Sequence, residues 1–224
     1  MDSHQSAATY QTDDKINTIT HLASAVLALL GAVLLIVYSS VEGKPWHTIG
    51  FSIYGLSLFL VFLASVFHHG LNVSQRVDTI FETLDHCAIF LLIAGTMTPV
   101  CLVFFRNPFG WAFLGVVWAI AITGIIIWAI FRESAKIFTH TLFPTLGWFG
   151  LILAYPIYLK TGFLGLILIF LGGVFYTIGA VIFGLHKPNP IPGRFGFHEI
   201  WHLFVIAGAF SHFLFMYLVI LPVN

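Results

Sequence analysis

From Trp111 to Phe131 the chain runs for 21 residues without a charged side chain. As a helix that run is about 31 Å long, which matches the ~30 Å hydrocarbon thickness of a bilayer. Comparable runs recur from near Ile16 to Val223. With 59 % hydrophobic and 8 % charged residues and a mean hydropathy of +0.98, 224 residues cannot enclose this much apolar surface in a soluble core. The expected fold is an all-α membrane protein, a bundle of seven transmembrane helices with a cytoplasmic N-terminus.

The polar interruptions set the expected spans. Residues 1–15 read as a polar N-terminal tail, and 16–224 as a single seven-helix transmembrane domain. The spans are expected at about Ile16–Tyr38, His47–His69, Ile80–Phe105, Trp111–Phe131, Phe138–Leu159, Phe163–Leu185 and Phe195–Val223. Pro99 is expected to kink the third, and Pro144 and Pro156 to bend the fifth. Basic residues orient the bundle. One side takes Lys15, Arg76, Arg132, Lys136, Lys187 and Arg194, and the other takes Lys44, Arg106 and Lys160. Six against three places the N-terminus in the cytoplasm.

Equal numbers of Lys+Arg and Asp+Glu, nine each, provide no basic surface for nucleic acid. Membrane lipids are the expected partners. The first apolar run is too long for a signal sequence and follows an acidic stretch, so it reads as a retained helix. Cys87 and Cys101 sit fourteen residues apart on one helix. That is about 21 Å, which excludes a disulfide between them.

Given this topology, the polar residues of four helices gather at one membrane face. Asp14, Asn17 and His21 open the first helix, Ser65, His68 and His69 end the second, Asp85 and His86 open the third, and His198 and His202 open the seventh. An ionisable group within a span is costly, about 2.5–3.5 kcal/mol for Asp at a helix centre, and faces the bundle interior. His198 and His202 are spaced i,i+4, so both imidazoles leave one helix face. Three neutral imidazoles and a water make an open tetrahedral zinc site of the kind used in hydrolysis. Ser65 and His69 also share a face at i,i+4, so a third ligand is expected at the end of the second helix. Asp85 would accept a proton from the water. The alternative is a set of interhelical hydrogen bonds and interfacial histidines. His4, His47, His140 and His186 read as interfacial, and His212 as packed and hydrogen-bonded.

Four motifs carry a family resemblance. Asp14-x-x-Asn17-x-x-Thr20-His21, Ser65-x-x-x-His69, the run from Leu84-Asp85-His86 to Thr98-Pro99, and Phe195-Gly196-Phe197-His198-Glu199-Ile200-Trp201-His202 resemble the hemolysin III branch of the progestin and adiponectin Q receptor family. The resemblance covers nearly the whole chain, and its third and fourth motifs are specific. It implies a seven-helix fold in a bacterial inner (plasma) membrane, with a zinc ion near the cytoplasmic face. By position the ligands would be His69, His198 and His202, with Asp85 and Ser65 around the water. Asp14, Asn17, His21, His68, His86 and Glu199 would lie behind them. Asp14 stands where Glu is usual and His68 where an aromatic is usual, which leaves the choice between His68 and His69 open.

Three functions compete. One is a zinc-dependent hydrolase acting on a lipid amide such as a ceramide-like substrate. The second is a membrane regulator, receptor or cytolytic protein with structural zinc. The third follows from His198-Glu199-x-x-His202, which fits the H-E-x-x-H pattern of metalloproteases with Glu as general base.

Overall fold

The computed structural model describes residues 14–224, apart from the side chains of residue 133 and of residues 135–140. The expected tail therefore lies outside the described residues up to residue 13, as do His4 and the His140 side chain. Asp14 and Lys15, assigned to that tail, already belong to the first helix. The helices are α1 (Asp14–Val41), α2 (Pro45–Gly70), α3 (Gln75–Phe104), α4 (Pro108–Phe131), α5 (Lys136–Phe149), α6 (Ala154–Leu185) and α7 (Phe197–Phe215). Tight 3-10 turns cover Arg132–Ala135 and Gly150–Leu153, and a π-helical turn, Met216–Ile220, extends α7. Among the described residues an isolated bridge between Ile191 and Phe195 is the only extended pairing.

The helix starts follow from local chemistry. Pro45 and Pro108 occupy first turns, where a missing N–H costs nothing. Asn107 caps α4 by accepting the Gly110 N–H at 2.9 Å. α3 runs on through Pro99 to Phe104. Between Pro144 and Pro156 the α-helical ladder gives way to the Gly150–Leu153 turn. Pro156 has no N–H for the carbonyl four residues earlier, so the ladder cannot continue unbroken there.

Among the described residues six helical stretches are long and apolar enough to cross a membrane. Five match expected spans. The sixth, Thr141–Leu185, joins the expected fifth and sixth spans in one 45-residue stretch. Within it Gly162 has φ 67° and ψ −158°, a conformation that a side chain would strain. The Lys160 amine, two residues earlier, lies 5.7 Å from the Phe105 ring centroid, near the end of α3.

One cluster of buried apolar side chains draws on all seven helices. Outward-facing apolar residues such as Leu27, Ile130, Leu159 and Phe163 are each more than 60 % exposed, as a lipid-facing bundle requires. Side chains also tie helices together through hydrogen bonds. Trp118 donates to Thr98 at 3.1 Å and Trp148 to Thr177 at 2.8 Å. Ser211 donates to the Leu168 carbonyl at 2.8 Å, and the His212 Nε2 sits 3.3 Å from the Ile169 carbonyl, so His212 is packed and hydrogen-bonded as expected. His47 corrects the interfacial reading: it is buried, with its Nε2 3.1 Å from the Ile220 carbonyl. The π-helical turn leaves carbonyls outside the regular ladder, and His47 reaches one of them.

α1 and α2 approach closely at Gly55, where an added Cβ would lie 2.4 Å from that of Ala32. Gly55→Ala is expected to destabilise the protein by about 1–3 kcal/mol through overpacking. Gly115→Ala, which meets nothing within 4 Å, is expected to leave the melting temperature in detergent unchanged. Equal melting of the two variants would contradict this packing.

Candidate metal centre

Three helix ends converge. His69 comes from the last turn of α2, and His198 and His202 from the first two turns of α7. Each can offer a nitrogen within 4.8 Å of the others'. Their ring centroids form a near-equilateral triangle: His69–His198 5.0 Å, His69–His202 4.9 Å and His198–His202 4.8 Å. The helical repeat brings the α7 pair together, and the packing of α2 on the bundle supplies the third ring. The His69 side chain is 6 % exposed, and His202 is buried.

The tautomer of His69 follows from its neighbour. Its Nδ1 lies 3.1 Å from the Asp14 carboxylate, which can only accept. The proton is therefore on Nδ1 and the lone pair on Nε2 is free for a cation. His68 turns to a different acid, with its Nδ1 3.4 Å from Asp78. The two rings stay close, with centroids 4.6 Å apart, but among the described residues it is His69 that groups with the α7 pair.

Glu199 is buried at 1 % exposure. One carboxylate oxygen accepts the Gly196 N–H at 2.6 Å and the other accepts from the Asn17 amide at 3.3 Å. The carboxylate that the H-E-x-x-H reading makes a general base is a helix cap, and it ties α7 to α1. The sequence carried the signal, since Glu three residues after a capping position is a helix-start pattern. The preceding loop completes the start: Asn189 accepts the Phe197 N–H at 3.1 Å, and the Ile191–Phe195 bridge closes the turn between them.

His21 enters the group from α1, its Nε2 2.7 Å from the His202 Nδ1. Ser65, one turn before His69, is buried, and its hydroxyl has no hydrogen-bond partner among the described residues. His86 lies elsewhere: it stacks on Trp128 with centroids 4.1 Å apart, and its Nδ1 is 2.9 Å from the Glu82 carbonyl. Asp85 sits three residues into the third turn of α3, and among the described residues no hydrogen bond or ion pair reaches it. Aromatic rings close the back of the site, with Phe62 edge-on to His21 at 5.2 Å and Phe183 edge-on to His198 at 5.6 Å. Sequence reading missed both Phe62 and Phe183, because nothing in an apolar run marks which aromatic will face a ring.

The arrangement suits a divalent cation of borderline softness. Three imidazole nitrogens, one with its tautomer set by a carboxylate, form a donor set characteristic of zinc, copper, iron or nickel rather than calcium or magnesium. The unpartnered Ser65 hydroxyl provides a polar atom beside them.

The sequence profile of the family described as Haemolysin-III related matches residues 9–213. Hemolysin-3 of Bacillus cereus is 37 % identical over 92 % of this chain and 91 % of that protein. The Hemolysin-3 homolog of Bacillus subtilis (strain 168) is 34 % identical over 88 % of this chain and 89 % of that protein. A more distant relative is the adiponectin receptor protein of Drosophila melanogaster, 28 % identical over 88 % of this chain and 48 % of that protein.

Glu199→Ala removes both the cap and the link to Asn17. It is expected to destabilise the protein by about 1–3 kcal/mol, and Asn17→Ala is expected to add less in that background than alone. Thermal melting of the two single variants and the double variant in detergent measures the coupling.

Proposed function

The chain belongs to the Haemolysin-III related family of integral membrane proteins, and from that premise we propose that it binds one zinc ion and hydrolyses an amide bond in a membrane lipid. The observation that carries this reading is the triangle of His69, His198 and His202 beside a buried, unpartnered Ser65 hydroxyl. Three protein donors among the described residues leave a coordination position for substrate or water, as catalytic zinc sites do. When bound, zinc supplies Lewis acidity, polarising a carbonyl oxygen and making water a better nucleophile.

The protein residues would do the rest. Asp14 holds the His69 ring with its free nitrogen inward. The Ser65 hydroxyl hydrogen-bonds the incoming water or carbonyl. Asp85 accepts the proton released on attack and returns it to the leaving amine. A lipid substrate is favoured by an apolar cavity of about 140 Å³ between α3, α5, α6 and α7, lined by Met97, Trp148, Tyr176 and Trp201 among others. Trp201, which lines this cavity, precedes the ligand His202 in the chain.

The membrane topology is part of the proposal. A 45-residue helix would be about 68 Å long, over twice the bilayer core, so Thr141–Leu185 is read as two crossings that reverse at Gly162. That makes seven crossings, with the N-terminus and the histidine group on the cytoplasmic side of a bacterial plasma membrane by the distribution of basic residues. A second reading is supported by the names of the relatives, Hemolysin-3 and adiponectin receptor: a cytolytic protein or receptor in which zinc ties α2 to α7. The sparse charge along the spans argues against a wide aqueous pore.

Elemental analysis of the purified protein is expected to give about one zinc per chain. His69→Ala, His198→Ala and His202→Ala should each lose it, and His68→Ala and His212→Ala should keep it. Stoichiometric zinc in a His198→Ala/His202→Ala variant would move the site elsewhere.

Asp85→Asn is expected to retain zinc and melting temperature while turnover of a ceramide-like amide falls by roughly 10²-fold or more. Released zinc would make Asp85 a ligand. No turnover by the unaltered protein on any lipid amide would favour the receptor or cytolytic reading.

A further inference from the structure

Asp14, Asn17 and His21 follow one another at i, i+3 and i+7, so they share one face of α1. Each reaches a different residue of the site end: Asp14 bonds His69, Asn17 bonds Glu199, and His21 meets His202. The last contact is the shortest. The His202 Nδ1 lies 2.7 Å from the His21 Nε2, with ring centroids 4.1 Å apart. Both side chains are buried, at 4 % exposure each, and Phe62 packs edge-on against the His21 ring.

Two imidazole nitrogens at that distance share one proton, and its position decides what His202 can do. If the His21 Nε2 carried it, the His202 Nδ1 would accept, and the proton of neutral His202 would sit on Nε2, closing that atom to a metal. If the His202 Nδ1 carries it, the His202 Nε2 keeps its lone pair. We infer that His21 is a positioning residue: its Nε2 accepts the His202 Nδ1–H and so holds His202 in the tautomer that presents Nε2 to the metal. The inference rests on the metal reading above. It assigns to α1 a role without a ligand of its own, with Asp14 orienting the α2 histidine and His21 one of the α7 histidines. Metal-ligating histidines commonly depend on such an acceptor, and losing it weakens metal binding by roughly 10- to 100-fold.

The test uses the full chain in detergent, with zinc affinity measured by competition against a chelating dye and melting temperature measured with and without excess chelator. His21→Ala is expected to weaken zinc binding roughly 10- to 100-fold while leaving melting in the presence of chelator close to that of the unaltered protein. His21→Gln, whose amide oxygen can accept the same proton, is expected to recover most of the affinity. With cobalt in place of zinc, the visible spectrum of His21→Gln should match that of the unaltered protein. Undiminished affinity in His21→Ala would overturn the inference. So would complete loss in both variants, as expected of a ligand, or an equal fall in melting with and without chelator, as expected of a packing residue. If the unaltered protein bound no zinc, the metal reading would fall and this inference with it; if it bound zinc and His21→Ala bound it just as tightly, only the inference would fall.

Discussion

A polar group inside a bilayer-spanning bundle has no water to hydrogen-bond, so it must find its partner in the protein or in a bound ion. The site end of this structure is arranged by that requirement. Four imidazoles from α1, α2 and α7 pack with neighbouring ring centroids 4.1–5.0 Å apart. A carboxylate stands behind one, a second imidazole behind another, and a helix-capping carboxylate fixes the start of the helix that carries two of them. His69, His202 and Glu199 each meet a polar side chain of α1. The polar contacts therefore also hold α1, α2 and α7 in register.

The opposite end solves the same problem with fewer charges. His47 and the Lys44 amine both reach backbone carbonyls in and just after the π-helical turn, at Ile220 and Leu221. Arg106 lies over the Trp46 ring, 5.5 Å from its centroid, where a guanidinium and an aromatic face attract. Between the ends the helices approach through small residues. Gly55 faces Ala32, Gly50 faces Pro99, and Gly124 faces the Phe90 ring. Close packing supplies much of the association free energy here, because lipid tails provide no hydrophobic drive between helices.

Much of this was legible from residue order. The i,i+4 pair on α7 follows from helical geometry alone, as does the shared face of Ser65 and His69. Glu199 was read as part of H-E-x-x-H, and its role as a helix cap tied to α1 emerges only from the hydrogen bonds to Gly196 and Asn17. His68 and His69 could not be ranked by spacing to the α7 pair, because the rotation of α2 relative to α7 is set by packing along its whole length. His47 looked interfacial because nothing local reveals a π-helical turn more than 170 residues away.

The sequence by itself determined that this is a helical membrane protein, where most of its helices begin and end, and that histidines of distant segments gather at one end. Hydrophobic length, proline and capping chemistry act within a few residues, so they can be read locally. Tertiary structure alone decided which imidazole of an adjacent pair faces the group, and that Asp14 stands behind His69 and His21 behind His202. These depend on how helices rotate against one another to fill the core, a property of all the side chains in contact at once.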